Sequence, residues 1–241
     1  MEKNELKRKS TVEEIQKRFD QDVERFANLD TGQQTTIDAP LTLELTTSAA
    51  AALSPAATTL LDIGCGAGNY TLKMLEKVPG LDCTLIDLSM PMLQRAHQRV
   101  SAVTDGKVEM IQADILVADL PDNHYDIVLA AAVLHHLRAD GDWEKVFNKI
   151  YRSLKPGGSF WISDLISHEP QELNQLFEAR YASYLEELGG KAYREKVLAY
   201  IDAEDSPRSV SYQLRLMKSA GFRYVDVLHK NACFAAFGGI K

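Results

Sequence analysis

The chain has 241 residues, 45% hydrophobic and 25% charged, a balance that lets one large domain bury a real core without disulfide or metal staples. Its 27 Lys and Arg against 34 Asp and Glu give a net charge of −7, so the surface repels polyanions and nucleic acid is disfavoured as the main ligand. Cys65, Cys83 and Cys233 stand far apart in no zinc-type spacing, the N-terminus has no apolar signal region, and no window is apolar enough to span a membrane, which together predict a cytoplasmic protein with no disulfide framework.

Two overlapping capping boxes, Ser10 with Glu13 and Thr11 with Glu14, precede Val12, Ile15, Phe19, Val23 and Phe26, whose steps of three and four predict one amphipathic helix. A polar stretch, 28–40, leads to a second predicted helix over Leu41–Leu53, closed before Pro55. From Thr58 the pattern alternates. Strands are predicted at Thr58–Ile63, Asp82–Asp87, Lys107–Gln112, Tyr125–Ala131 and Ser159–Asp164, with helices at Tyr70–Val78, Met90–Val103 and Trp143–Leu154. Near-continuous apolar strands between helices imply a parallel sheet covered on both faces. Pro156-Gly157-Gly158 reads as a sharp turn.

The alternation then breaks. Glu169–Leu188 and Lys191–Ala203 read as a helical insertion, with Leu173, Leu176, Phe177, Tyr181, Tyr184, Leu185 and Leu188 on one face. Ser209–Ala220 is a further helix, closed by Gly221. Phe222–His229 and Asn231–Phe237 are strands linked so tightly that they must pair antiparallel.

The sharpest local signal is Asp62-Ile63-Gly64-Cys65-Gly66-Ala67-Gly68, where a strand enters a glycine turn and then a helix. Such glycines bring bare backbone and a helix N-terminus close to a ligand. The dinucleotide pattern G-x-G-x-x-G is met imperfectly, because its last position is Asn69. Asp87 ends the second strand about twenty residues on, where a carboxylate can accept from ribose hydroxyls. Asp114, after the third strand, can accept an adenine amino group while the Ile115 N–H reaches a ring nitrogen. Successive strand ends thus describe one nucleoside.

With these motifs, the Asp126–His136 strand and loop, Leu154-Lys155-Pro156-Gly157-Gly158 and the terminal hairpin, the segment from about Thr58 to Phe237 resembles the class I SAM-dependent methyltransferases. The resemblance implies a Rossmann-like, seven-stranded, mostly parallel α/β sheet with helices on both faces and a C-terminal antiparallel hairpin. It divides the chain into an N-terminal helical lid, 1–57, and a methyltransferase domain, 58–241, with a helical cap near 169–207. It further implies S-adenosyl-L-methionine (SAM) as cofactor and S-adenosylhomocysteine as product. Asp62, Gly64, Gly66 and Gly68 would lie beneath the methionine part, with Asp87 at the ribose and Asp114 and Ile115 at adenine. Leu88 or Met92 would flank the ring, and a carbonyl at Ala130 or Ala131 would take the methionine ammonium. Asp62 could equally serve only to organise the turn.

The expected activity is methyl transfer to a small-molecule acceptor by in-line displacement, which needs alignment and water exclusion more than strong acid–base machinery. His136, beside His135 in the loop after the fourth strand, is the candidate base. A metal is not expected, since no carboxylate or third histidine stands at ligand spacing from this pair. Arg180, Arg194, Arg208 and Arg215 read as solvated helix charges unless one faces an acidic substrate. The second half of the chain also resembles the carboxy-SAM synthase of tRNA wobble-uridine modification, and a SAM-binding module without catalysis is a further alternative. A nicotinamide oxidoreductase is disfavoured by the terminal hairpin. The expected assembly is a monomer or homodimer without membrane contact.

Overall fold

The computed structural model describes residues 9–28 and 32–241. Seven strands form one sheet: β1 (Thr59–Ile63), β2 (Asp82–Asp87), β3 (Val108–Gln112), β4 (Tyr125–Ala131), β5 (Leu154–Leu165), β6 (Tyr224–Asn231) and β7 (Phe234–Ile240). Their order is β3-β2-β1-β4-β5-β7-β6. The first five run parallel and β7 lies antiparallel between β5 and β6. The chain therefore reverses its winding at β1 and β4, the place where open α/β sheets leave a crevice at their carboxyl ends.

Period-two alternation divides the apolar strand residues between two cores. Leu60, Leu85, Ile127, Leu129 and Trp161 face α3 (Ala39–Leu53), α4 (Asn69–Lys77) and α5 (Met90–Ser101). Leu61, Ile63, Val128, Phe160, Ile162 and Phe237 face α6 (Asp140–Ser153) and α8 (Val210–Ala220), where Trp143, Phe147 and Met217 are buried. A third cluster joins Tyr181, Leu185 and Val197 of the interrupted helix α7 (Gln171–Glu204) to Leu165, Cys233 and Phe234 at the hairpin end.

Several sequence expectations change in detail. The first helix is two pieces, α1 (Val12–Asp20) and α2 (Val23–Ala27); Asp22 turns its carboxylate to Arg25 at 2.8 Å, and the break folds Phe26 back to 5.6 Å from Phe19. Only the Thr11–Glu14 capping box closes, because the Ser10 N–H donates instead to the Ala203 carbonyl at 2.9 Å. Pro156-Gly157-Gly158 lies within β5 as an irregularity in its pairing with β4, where the register slips between Tyr125 and Ile127. Gly190, at φ 80°, breaks α7 where the two predicted helices were separated. Tyr181 and Leu185 are buried, but Leu173, Leu176 and Leu188 are exposed, so the predicted apolar face of that insertion is only partly covered. The hairpin turn holds two residues, with Ala232 at φ 48°.

Candidate active site

A cavity of about 340 Å³ opens over the carboxyl ends of β1, β2, β4 and β5. Asp62, Gly64, Gly66, Asp87, Leu88, Met92, Asp114, Ile115, Ala131 and His136 all line it. Gly68 and Ala130 do not. Gly68 caps α4, packed against Ala96 and Val100 of α5, and Ala130 is buried in the core beneath α6.

The glycine turn is shaped by two constraints. Gly64 has φ +65°, and a Cβ on it would stand 2.5 Å from the Val133 side chain, so β4's loop and the turn interlock only around a bare Cα. Gly66, at φ +51°, has nothing within 4 Å of its Cβ position. It borders the cavity, so any side chain there would occupy space left for a ligand.

Asp87 Oδ2 accepts from the Gly66 N–H and Oδ1 from the Ser89 N–H, both at 2.9 Å. Each oxygen keeps a lone pair, as a carboxylate receiving a vicinal diol requires. Burial raises its pKa against these backbone bonds. Asp114 Oδ1 accepts the Leu116 N–H at 2.8 Å, which fixes the loop after β3. Lys149 of α6 secures the same loop from below, its ammonium donating to the carbonyls of Ile115, Leu116 and Ala118 at 2.8, 3.3 and 2.5 Å. The residues present fit a nucleoside carrying a ribose diol and an amino-purine edge.

Asp62 is 1% exposed and accepts the Thr71 hydroxyl at 2.6 Å. Burial pushes its carboxyl up to about 7, with the Thr71 bonds opposing and the Asp87 charge adding to the rise. A cationic ligand favours the ionised form. Affinity for SAM, measured by calorimetry, should therefore increase by roughly fivefold between about pH 6 and pH 7.5, and Asp62→Asn should remove that dependence. The same shift weakens the fold on its own account: Asp62 supports it fully below the ordinary carboxylate pKa of 3.8, and this contribution is lost as the pH rises through about 7.

Beyond the nucleoside half stands a cluster that sequence spacing did not reveal. His135 is buried and donates from Nδ1 to Asp164 Oδ1. Asp164, 3% exposed, also accepts the N–H groups of Leu134 at 2.9 Å, His135 at 3.3 Å and Leu165 at 2.8 Å. Asp205, at the end of α7, brings Oδ1 to 3.7 Å from His135 Nε2 and 3.2 Å from His136 Nδ1. Burial works to lower the pKa of His135, but Asp164 and Asp205 outweigh it and carry the imidazole to about 9. Burial and the neighbouring His135 charge lower His136 instead. The fold thus supplies a carboxylate beside the histidine pair, Asp205, that ligand spacing in the sequence did not show, and His135, His136 and Asp205 come within 4.8 Å of one another.

The roof is made by the N-terminal segment and the cap. Arg18 Nε donates to both carboxylate oxygens of Glu204 at 2.9 and 3.0 Å, and Lys9 Nζ reaches the Asp202 and Asp205 carbonyls at 2.6 Å each. Tyr181 and Tyr184 donate to the carbonyls of Thr35 and Gln34, each at 2.8 Å. Phe19, Phe26, Leu165, Ile201 and Phe234 add apolar wall. The cap arginines point elsewhere: Arg194 pairs with Glu186, Arg208 with Asp140 and Arg215 with Glu169, and none of them lines the cavity, nor does Arg180. Cys65 is buried, and its thiol is raised well above its ordinary value by burial and two aspartates, so it is no nucleophile.

This fold is the Rossmann-like arrangement typical of methyltransferases, with its crevice at the carboxyl ends of the central strands. Residues 60–158 match a family described as a methyltransferase domain. The chain is 29% identical over 189 residues to a demethylmenaquinone methyltransferase of Listeria monocytogenes, covering 76% of this chain and 78% of that one. It is 28% identical over 186 residues to a carboxy-S-adenosyl-L-methionine synthase of Nautilia profundicola, covering 76% of each. Human N-acetylserotonin methyltransferase, solved with SAM, superposes with a TM-score of 0.62 at 19% identity, over 97% of this chain and 63% of that structure's length. These findings support a SAM-dependent methyltransferase of the class I type, with SAM as the methyl donor that the family and its SAM-bound structural neighbours imply. Among the described residues no helix is long and apolar enough to cross a membrane.

Proposed function

We propose that this methyltransferase acts on a small, largely apolar acceptor carrying one ionisable group, with residues 1–57 as its lid and residues near 169–207 as its cap. The observation that carries this reading is one cavity whose lining joins Asp87 and Asp114 to His136 and the aromatic residues of α1, α2 and α7. A polymer would need an open face, whereas a small acceptor needs an enclosed, mostly apolar site with a few polar groups.

In this reading Asp87 holds the ribose hydroxyls, Asp114 and the Ile115 N–H read the adenine edge, and Leu88 and Met92 flank the ring. Gly64 and Gly66 leave room for the methionine part, Gly68 starts the helix beneath it, and Asp62 and the backbone at Ala131 face its ammonium side. SAM supplies a methyl on a sulfonium sulfur, whose departure as S-adenosylhomocysteine needs no acid. The chain's own work is then to align the acceptor and exclude water. His136, kept neutral by burial and by the His135 charge, takes the acceptor's proton.

The experiment is to incubate the full chain with SAM and a fractionated metabolite extract and to identify methylated products by mass. A product that forms only with enzyme supports the reading; tight SAM binding with no methylated product in any fraction would mark a binding module instead. The similarity to the Nautilia enzyme favours a second reading, a carboxy-SAM-synthase-like reaction, and a retained ligand with the mass of carboxy-SAM would select it.

A further inference from the structure

The cap contributes more than a wall. Asp205 stands 69 residues from His136 in sequence, yet its Oδ1 is 3.2 Å from His136 Nδ1. Its side chain is 4% exposed, and Oδ1 makes no hydrogen bond among the described residues. Neither ring nitrogen of His136 has such a bond, although both are buried. Buried polar atoms in this state are costly unless a proton or ligand completes them. The backbone around the pair is stitched together: the Ser206 N–H donates to the His135 carbonyl at 2.7 Å, and the Asp205 N–H closes the last turn of α7 onto Ile201 at 2.9 Å.

We propose that Asp205 is the positioning residue for His136: it accepts the Nδ1 proton, fixes the tautomer whose Nε2 lone pair faces the acceptor, and stabilises the ring once that nitrogen is protonated. This rests on the reading of His136 as the base. The proton that leaves the acceptor goes to Nε2, Nδ1 keeps its own, and the extra proton passes to water after the product leaves. The charged groups near the pair include Arg138, whose guanidinium donates to Ser206 Oγ at 3.5 Å and to the Ser10 carbonyl at 3.2 Å. Asp164 on β5 takes the Nδ1 side of His135, while Asp205 faces both rings, 3.2 Å from His136 Nδ1 and 3.7 Å from His135 Nε2; Arg18 on α1 is neutralised by Glu204; Tyr200 of α7 lies beneath the Arg18 guanidinium; and Phe19 packs edge-on against the His136 ring at 5.9 Å. Because Lys9, Ser10 and Arg18 bind the α7 end that carries Asp205, the base is completed only where lid and cap meet.

The tautomer is directly observable. In ¹⁵N-histidine-labelled full-length protein saturated with S-adenosylhomocysteine, long-range proton–nitrogen spectra, assigned with His136→Gln, should show His136 with its proton on Nδ1. Asp205→Asn, of the same shape without the charge, should shift the His136 protonation equilibrium at least tenfold toward the neutral ring, moving its titration to lower pH. Asp205→Glu should restore part of that shift. Turnover of whichever acceptor the extract screen yields should fall in Asp205→Asn through kcat, with the KM for SAM unchanged. A proton on Nε2 in the wild type, or a titration that ignores the substitution, overturns the proposal. So does one equivalent of zinc or iron that the purified protein retains and Asp205→Asn loses, since His136 would then be a ligand. The tautomer measurement needs no acceptor, so it can fail while methyl transfer stands, and methyl transfer can fail while it succeeds.

Discussion

Replacing Asp87 by Ala should weaken SAM binding by about 2 kcal/mol or more, roughly 30-fold in Kd, if Asp87 holds the ribose as proposed through two charge-assisted hydrogen bonds. Isothermal titration calorimetry with SAM and with S-adenosylhomocysteine reads this directly. The carboxylate has a second duty, because its oxygens also take the Gly66 and Ser89 N–H groups and so tie the glycine turn to the start of α5. Alanine therefore removes ligand contacts and loosens the turn together. Asp87→Asn separates the two, since its amide oxygen can still accept one backbone N–H. A loss for Asn nearly as large as for Ala would place the effect in the ribose bonds. Wild-type affinity in both variants would put the ribose elsewhere.

The largest effect on stability should come from Asp164. Asp164→Asn removes the charge that the imidazole is buried against and one of the two oxygens that accept the N–H groups of Leu134, His135 and Leu165. Breaking a buried ion pair on one side costs about 3–5 kcal/mol, which for a chain of this size corresponds to a fall in Tm of roughly 6–20 °C. The loss should depend on pH in a fixed sense. His135 is raised from an ordinary 6.5 to about 9 in the fold, so its contribution is fully present below 6.5 and is lost as the pH rises through about 9. Thermal melts should show the gap between wild type and variant widest at about pH 6.5 and narrowing as the pH rises through about 9. A gap independent of pH would mean that the backbone bonds, and not the ion pair, carry the effect.

The sheet was legible because its information is local. Alternating apolar residues such as Leu60 and Leu61, or Val128 and Leu129, assign faces without knowledge of neighbours, and Asp87 and Asp114 are found by their place at strand ends. The cluster around His135 and His136 was not, because its carboxylates arrive from other strands and helices. Two signals lay in the sequence nonetheless. Asp164 ends β5 as Asp62 and Asp87 sit at the ends of β1 and β2, which places it at the same crevice. Asp202, Glu204 and Asp205 crowd the C-terminal end of a helix with no basic residue in its last turn, where the helix dipole disfavours negative charge. Carboxylates kept there against the dipole indicate partners outside the helix, and Glu204 and Asp205 find them in Arg18 and the histidine pair. Lys149 was hidden for the opposite reason: it stands three residues after Val146 on the apolar side of α6, and only the fold shows that three carbonyls await its ammonium. The single long first helix failed at Asp22 because apolar spacing takes no account of a side chain that prefers a local ion pair.

The break at Gly190 splits the roof of the cavity into two pieces with different assignments. The piece before it carries Tyr181 and Tyr184, which meet the loop 34–35 and the apolar wall; the piece after it carries Tyr200, Ile201 and the acidic end that meets the histidines. In the proposed function the first piece would shape only the acceptor's space, while the second, which also adds Ile201 to the apolar wall, would carry the residue that positions the base. On that proposal, substitutions that enlarge or narrow the pocket around Tyr181 would change acceptor choice and leave Asp205 in place beside the histidines.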